Sequence, residues 1–264
     1  FDNLLLHVVC TVIVYRLVFL LSGSRIAGVV TALLFGLHPM HVESVAWAAA
    51  RKDVLYGAFY FGALVLYVKY VRATGKKGLL YAGVLGLFIC ALLSKPVAVT
   101  LPLSMLLIDY WEKRKWSASL LVEKLPHFAL ALVFGVIAVK SQQTAGAMEM
   151  QKIEYNVLER IALGGYAFIT YLWKALVPTT LRCLYHYPQK TNGSIGAVFY
   201  LYPLIAVSLI VLVWKYLRHN RPVVFGLLFF VANIALLLQF IQVGEAIVAE
   251  RYSYVPYTGL FFIA

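Results

Sequence analysis

The chain has 264 residues, of which 62% are apolar and 13% charged, and its formal net charge is +12. With a mean hydropathy of +0.84 it is no ordinary water-soluble enzyme, since such domains carry about 45–50% apolar and about 25% charged residues. The composition also excludes a disordered or collagenous chain, and three cysteines (Cys10, Cys90, Cys183) make no disulfide scaffold. In so apolar a chain the positive charge bears first on membrane sidedness, and nucleic acid is not an expected partner.

Apolar runs lie at about 4–21, 24–37, 54–71, 79–93, 97–110, 125–140, 161–177, 198–214, 223–241 and from about 255 onward. A hydrocarbon core of about 30 Å takes roughly 20 residues per helix. Backbone at membrane depth must satisfy its own hydrogen bonds, and without barrel-like alternation the runs read as helices. The expected fold class is all-α: one polytopic transmembrane helical bundle covering 1–264. The chain opens at Phe1 and closes inside an apolar run, so it reads as a piece of a longer protein.

Loop charges set the orientation. Lys69, Arg72, Lys76 and Lys77 follow the third run, Lys113, Arg114, Lys115 and Lys124 the fifth, and Lys215, Arg218 and Arg221 precede the run at 223. Together with Arg25 they are assigned to the cytoplasmic side. The short opposite loops hold only Arg51, Lys52, Lys95 and Arg251. This parity makes 161–177 re-entrant or interfacial and leaves about eight full crossings plus a truncated ninth. Of the 11 acids, only Asp109, Glu112 and Glu123 then lie on the basic side. Asp2, Glu43, Asp53, Glu149, Glu154, Glu159, Glu245 and Glu250 gather on the other. Acids contribute little to topology, so this gathering points to chemistry at the outer surface, or to solvation of the longest loop.

Four polar constellations mark that face. In His38-Pro39-Met40-His41-Val42-Glu43-Ser44, continuing to Arg51-Lys52-Asp53, a helix from Pro39 to Asp53 would set Glu43, Trp47 and Arg51 on one face. That wall suits a phosphorylated ligand, and His41 with Glu43 could hold a divalent metal, although no spacing specifies one. The alternative is that Arg51 and Lys52 snorkel to headgroups and Trp47 sits in the aromatic belt. Ser94-Lys95-Pro96 offers a lone cation in a short turn. Tyr185-His186-Tyr187-Pro188 follows the non-crossing run, near an Asn192-Gly193-Ser194 glycosylation triplet. Glu245 and then Glu250-Arg251-Tyr252-Ser253-Tyr254-Val255-Pro256 open the last helix, and ionisable residues so placed are functional candidates or simple helix caps. No P-loop, dinucleotide glycine fingerprint, nucleophile elbow or Cys-x-x-Cys pair occurs in the sequence.

Several motifs then follow one another in a recognisable order. They are Asn3-Leu4-Leu5-Leu6-His7, His38-Pro39-x-His41-Val42-Glu43-Ser44-Val45-Ala46-Trp47 through Arg51-Lys52-Asp53-Val54-Leu55, and Leu93-Ser94-Lys95-Pro96-x-Ala98-Val99-Thr100-Leu101-Pro102. Leu107-Ile108-Asp109-Tyr110-Trp111, Tyr185-x-Tyr187-Pro188 and Arg251-Tyr252-x-Tyr254-x-Pro256 complete the set. Together they resemble the membrane portion of the transmembrane and TPR repeat-containing O-mannosyltransferase family, and more closely its bacterial TPR-linked relatives. The resemblance implies a GT-C fold and a membrane glycosyltransferase that moves a sugar from a polyprenyl-phosphate carrier to a protein hydroxyl or other acceptor. It implies an active site open to the periplasm of a bacterial inner membrane, or alternatively to the lumen of the endoplasmic reticulum.

The resemblance also places the family's main catalytic carboxylate in a first outer loop expected upstream of Phe1, and the TPR array beyond the C-terminal end. Asp2 falls one turn too late for the catalytic role, and Glu250 stands where the family usually has Asp. Arg51, Lys52, Lys95 and Arg251 are the candidates for the phosphate. His38, His41, Glu43, Asp53, Tyr187, Glu250 and Tyr252 are the orienting or pocket residues, with His41 and Glu43 doubling as candidate metal ligands. Expected partners are the polyprenyl-phosphate sugar, membrane lipids, and a protein acceptor or complex partners. A non-catalytic subunit of a larger membrane complex is the alternative function. A transporter or flippase fits less well, because transport sites sit near the bilayer midplane on interrupted helices.

Overall fold

The computed structural model describes residues 1–75, 77–144, 155–182, 184–191, 193–238, 240 and 246–264. Lys76, Glu149, Glu154, Cys183, Asn192 and Glu245, named above, lie outside the described residues. The architecture is an all-α helical bundle. Its helices are α1 (Asp2–Ser22), α2 (Arg25–Leu37), α3 (Val42–Ala46), α4 (Arg51–Arg72), α5 (Lys77–Ser94), α6 (Leu101–Trp111), α7 (Ala118–Thr144), α8 (Val157–Leu176), α9 (Leu201–Leu217), α10 (Arg221–Ile234) and α11 (Tyr257–Ile263). Two short strands, β1 (Tyr185–His186) and β2 (Ala246–Val248), pair antiparallel.

Helix ends follow local chemistry. Gly23 takes the left-handed conformation (φ 71°) that closes α1, and Ser24 then accepts the Ala27 N–H at 3.2 Å to open α2. Among the described residues five helices are long and apolar enough to cross a membrane: α1, Ala48–Arg72, α5, α7 and Ala197–Leu217. A sixth results if Arg25–Leu37 and Pro39–Ala46, bent by 56°, count as one broken span. Two shorter apolar helices, Pro96–Trp111 and Arg221–Leu237, occupy the other runs expected to cross. α8 carries Glu159, Arg160 and Lys174 and is not among the spans.

α4 is the hub. It packs along both α1 and α5, and it is buried from Asp53 to Val68 on its inward face. At mid-depth Tyr60 donates to Asn233 Oδ1 (2.7 Å), which also accepts from Thr100 (2.8 Å). The Asn233 amide nitrogen donates to Ser104 Oγ (3.0 Å) and to the Phe229 carbonyl (2.9 Å). A side-chain amide in lipid must find partners for all its groups, and this one ties α4, the start of α6 and α10 together. α10 and α11 approach so closely that a Cβ on Gly226 would lie 2.3 Å from the Gly259 carbonyl oxygen. Small residues permit such backbone contact inside a bilayer.

The basic end of α4 is closed by a buried ion network. Asp109 accepts from Tyr67 Oη (2.6 Å) and Arg114 (2.8 Å) and pairs with Lys124 (2.9 Å). Glu123 binds Arg114 (2.9 Å) and Lys124 (2.6 Å). Two acids face two cations, so the charges taken out of water balance.

Candidate functional site

The expected single helix from Pro39 to Asp53 does not form. A 3-10 turn at Pro39–His41 precedes α3, Trp47 is extended (φ −82°, ψ 117°), and a second 3-10 turn at Ala48–Ala50 precedes α4. At the break the Trp47 carbonyl accepts the Ala50 N–H at 2.9 Å, a 3-10 rather than an α bond, and its second lone pair takes the Asn3 side-chain N–H at 3.0 Å. Glu43 and Arg51 therefore part company. Arg51 turns to Asp2, 3.0 Å away, with both side chains more than half exposed. Exposed pairs of this kind contribute little, and Arg51 does not join the other candidate cations. Lys52 is exposed beside Asp53.

Lys95 and Arg251 do converge. Lys95 ion-pairs with the fully buried Asp53, and its ammonium lies 5.3 Å from the centre of the Tyr252 ring. The Arg251 guanidinium sits 5.2 Å from that same ring and 5.3 Å from the Trp47 ring. Arg251 ion-pairs with Glu43, whose other oxygen accepts the Arg251 backbone N–H at 2.9 Å. One tyrosine thus has two cations within about 5.3 Å of its ring centre, and each cation is paired with a carboxylate. The aromatic faces hold the cations electrostatically.

Burial pushes the Lys95 ammonium below the usual lysine value; Asp53 works against that, and Arg251 and Lys52 add to it. Burial also opposes the charge on Arg251, but Glu43 and the Tyr252 phenol outweigh it and raise the guanidinium. The Tyr252 phenol is raised by burial, with Arg251 pulling the other way. One Asp53 oxygen, Oδ2, is buried without a hydrogen-bond partner.

The histidines serve the scaffold. A carbonyl only accepts, so His41 Nδ1 donates to the Phe35 carbonyl at 2.8 Å, deep in the core. His38 Nε2 donates to the Ala175 carbonyl at 3.3 Å, and its Nδ1 accepts the Met40 N–H at 3.3 Å. Of the pair named as candidate metal ligands, His41 Nδ1 is turned to Phe35 and Glu43 is held by Arg251. Among the described residues no group of three His, Cys, Asp or Glu side chains is placed to hold a metal ion.

A second group lies against the first. β1 and β2 bring Tyr185 opposite Val248, and buried Glu250 accepts from Tyr185 Oη and from the Arg182 backbone N–H, both at 2.9 Å. Tyr187 is buried and stacks on Tyr155 at 5.8 Å. Tyr155 in turn donates to the Pro188 carbonyl at 2.7 Å. Glu250 and Tyr187 are thus wall-builders next to the cation cluster. Two contributors were not among the candidate residues. Trp47 had a signal in its position between Glu43 and Arg51, whereas Tyr185 had only its motif.

Part of the chain is similar to curated proteins. It is 32% identical over 89 residues to the mouse "Protein O-mannosyl-transferase TMTC2", a match covering 34% of this chain and 11% of that protein. It is 36% identical over 73 residues to the frog (Xenopus laevis) protein of the same name, covering 28% of this chain and 9% of that protein. The matches thus span about a tenth of the length of these relatives. No protein-family model and no solved structure matches the chain.

Proposed function

We propose that the chain is the membrane portion of a GT-C-like glycosyltransferase that takes a sugar from a polyprenyl-phosphate donor and passes it to a hydroxyl acceptor. The observation that carries this reading is the convergence of two cations, Lys95 and Arg251, on the Tyr252 ring. In such a transfer the bond from the sugar's anomeric carbon to the phosphate oxygen breaks, and a bond to the acceptor oxygen forms. The electron pair leaves with the phosphate, and the acceptor hydroxyl gives up its proton to a base. Negative charge grows on the phosphate in the transition state, where fixed cations stabilise it most effectively. Lys95 and Arg251 supply N–H donors for that charge, Asp53 and Glu43 position them, and the Tyr252 ring contacts both.

The base that removes the acceptor proton, worth about 10²–10⁴-fold, is assigned to the first outer loop of the family this chain resembles. The partial likeness to the two O-mannosyl-transferases supports the reaction class. The site is proposed to face the periplasm of a bacterial inner membrane, with the lumen of the endoplasmic reticulum as the alternative.

The test is sugar transfer from a polyprenyl-phosphate donor by the purified full-length protein carrying Lys95→Ala or Arg251→Ala. Losing one charge stabiliser is expected to lower turnover by about 10²-fold or more; because Lys95→Ala also strands buried Asp53, turnover is measured well below the lowered unfolding temperature. Lys95→Arg should recover part of the rate. Unchanged turnover in both alanine variants removes the site. A stable co-purifying complex without transfer from any lipid donor would favour the non-catalytic subunit instead.

A further inference from the structure

At the opposite, basic end of the bundle, α8, α9 and α10 leave a half-open cavity of about 600 Å³. Its walls are apolar, among them Phe168, Leu172, Leu209 and Leu228. Its rim is not: Arg218 and His219, both exposed, line the cavity from the tight turn between α9 and α10. Arg218 Nε donates to His219 Nε2 at 3.1 Å, which sets the two side chains together. Lys215 and Arg221 flank them in sequence, and no acidic residue occurs between Glu159 and Glu245. The volume falls within the usual range of about 300–1,000 Å³ for small-molecule sites.

An apolar chamber with a cationic rim matches an amphiphile with a negative head. α9, one wall of the chamber, has no buried residue along its length and is among the membrane-spanning helices. Basic pockets between transmembrane helices are where anionic headgroups bind. A soluble anion would leave the chamber empty, and a neutral lipid would leave the cations unmatched. We propose that this cavity binds an anionic phospholipid of the surrounding bilayer, with an acyl chain between α8, α9 and α10 and the phosphate at Arg218 and His219. The site stands apart from Lys95 and Arg251 and does not depend on the glycosyl-transfer reading.

The test is native mass spectrometry of the full-length protein taken from bilayers of equal phosphatidylglycerol and phosphatidylcholine. Phosphatidylglycerol should be retained over phosphatidylcholine by about fivefold, the preference expected of one basic contact at a membrane surface. Arg218→Gln with His219→Gln should abolish that preference. Leu228→Trp, which fills the chamber, should release both lipids. Equal retention of the two lipids by the unaltered protein overturns the proposal, as does a preference that survives the Arg218 and His219 changes. So does a stable dimer that crosslinks across α9. Should a variant fail to fold, thermal unfolding of the unaltered protein decides. A rise with phosphatidylglycerol alone supports the site, and the same rise with inorganic phosphate or phosphatidylcholine overturns it.

Discussion

Replacing Asp53 by asparagine leaves the Lys95 ammonium facing an amide that cannot neutralise it. Removing one member of a buried ion pair costs about 3–5 kcal/mol because the other charge stays desolvated. The Asp53 side chain is 0% exposed and that of Lys95 13%, so the lower end, about 3 kcal/mol, applies. At roughly 2–4 °C per kcal/mol for a chain of this size, the unfolding temperature should fall by about 6–12 °C. The sign with pH is fixed as well. In the folded protein burial already lowers the Lys95 pKa while Asp53 holds it up, so Asp53→Asn lowers it further. Between that depressed value and the unfolded lysine value of about 10.4, the unfolded state binds more protons than the folded one. Stability of the variant should therefore rise with pH across this window, and more steeply than in the unaltered protein. Adding Lys95→Met to the variant removes the orphaned charge and should restore most of the loss. The assay is thermal unfolding in nanodiscs, followed by tryptophan fluorescence from pH 6 to pH 9. An Asp53→Asn protein within about 1 °C of the unaltered one, or a double variant no more stable than the single, would refute the buried pair.

Two further tests probe the scaffold. Asn233→Leu removes the amide that joins Tyr60, Thr100 and Ser104, and interhelical bonds in membranes average about 0.6 kcal/mol each. The unfolding temperature should drop by about 4–8 °C, and a drop no larger than for Leu228→Ile would deny the network its role. Gly226→Ala places a methyl 2.3 Å from the Gly259 carbonyl oxygen and should destabilise by about 1–3 kcal/mol. Gly86→Ala, which meets open space, should instead gain up to about 1 kcal/mol from helix propensity; equal effects at the two glycines would contradict the close α10–α11 approach.

The helices were legible because the sequence carries the hydrocarbon length directly: the runs at about 54–71 and 79–93 became α4 and α5 with only their polar ends added. The break between Pro39 and Asp53 is not legible in side-chain spacing. The Trp47 carbonyl there joins a 3-10 bond from Ala50 to one from Asn3, 44 residues away, and nothing in local spacing announces the second. Convergence of Lys95 with Arg251 was legible as charges on a shared side of the membrane. Tyr252 was legible as a pocket residue, but its contact with Lys95 was not, because that contact is made across the bundle. The depth of His41, packed beside Phe35 and Tyr254, was not legible either. Such depth depends on which helices neighbour one another, and a periodic pattern does not encode that. His7 belongs to the same class, since its partner Tyr254 Oη, at 2.8 Å, lies 247 residues away.

α4 is gripped at both extremities. Asp53 anchors it beneath the Lys95 cation, and Tyr67 anchors it in the Asp109 network, 14 residues or about 21 Å farther along the helix axis. A rod pinned by charge at each tip can neither slide nor roll without breaking bonds at one of them. Its length therefore acts as a gauge block that fixes the separation between the Lys95–Arg251 cluster and the Asp109 network.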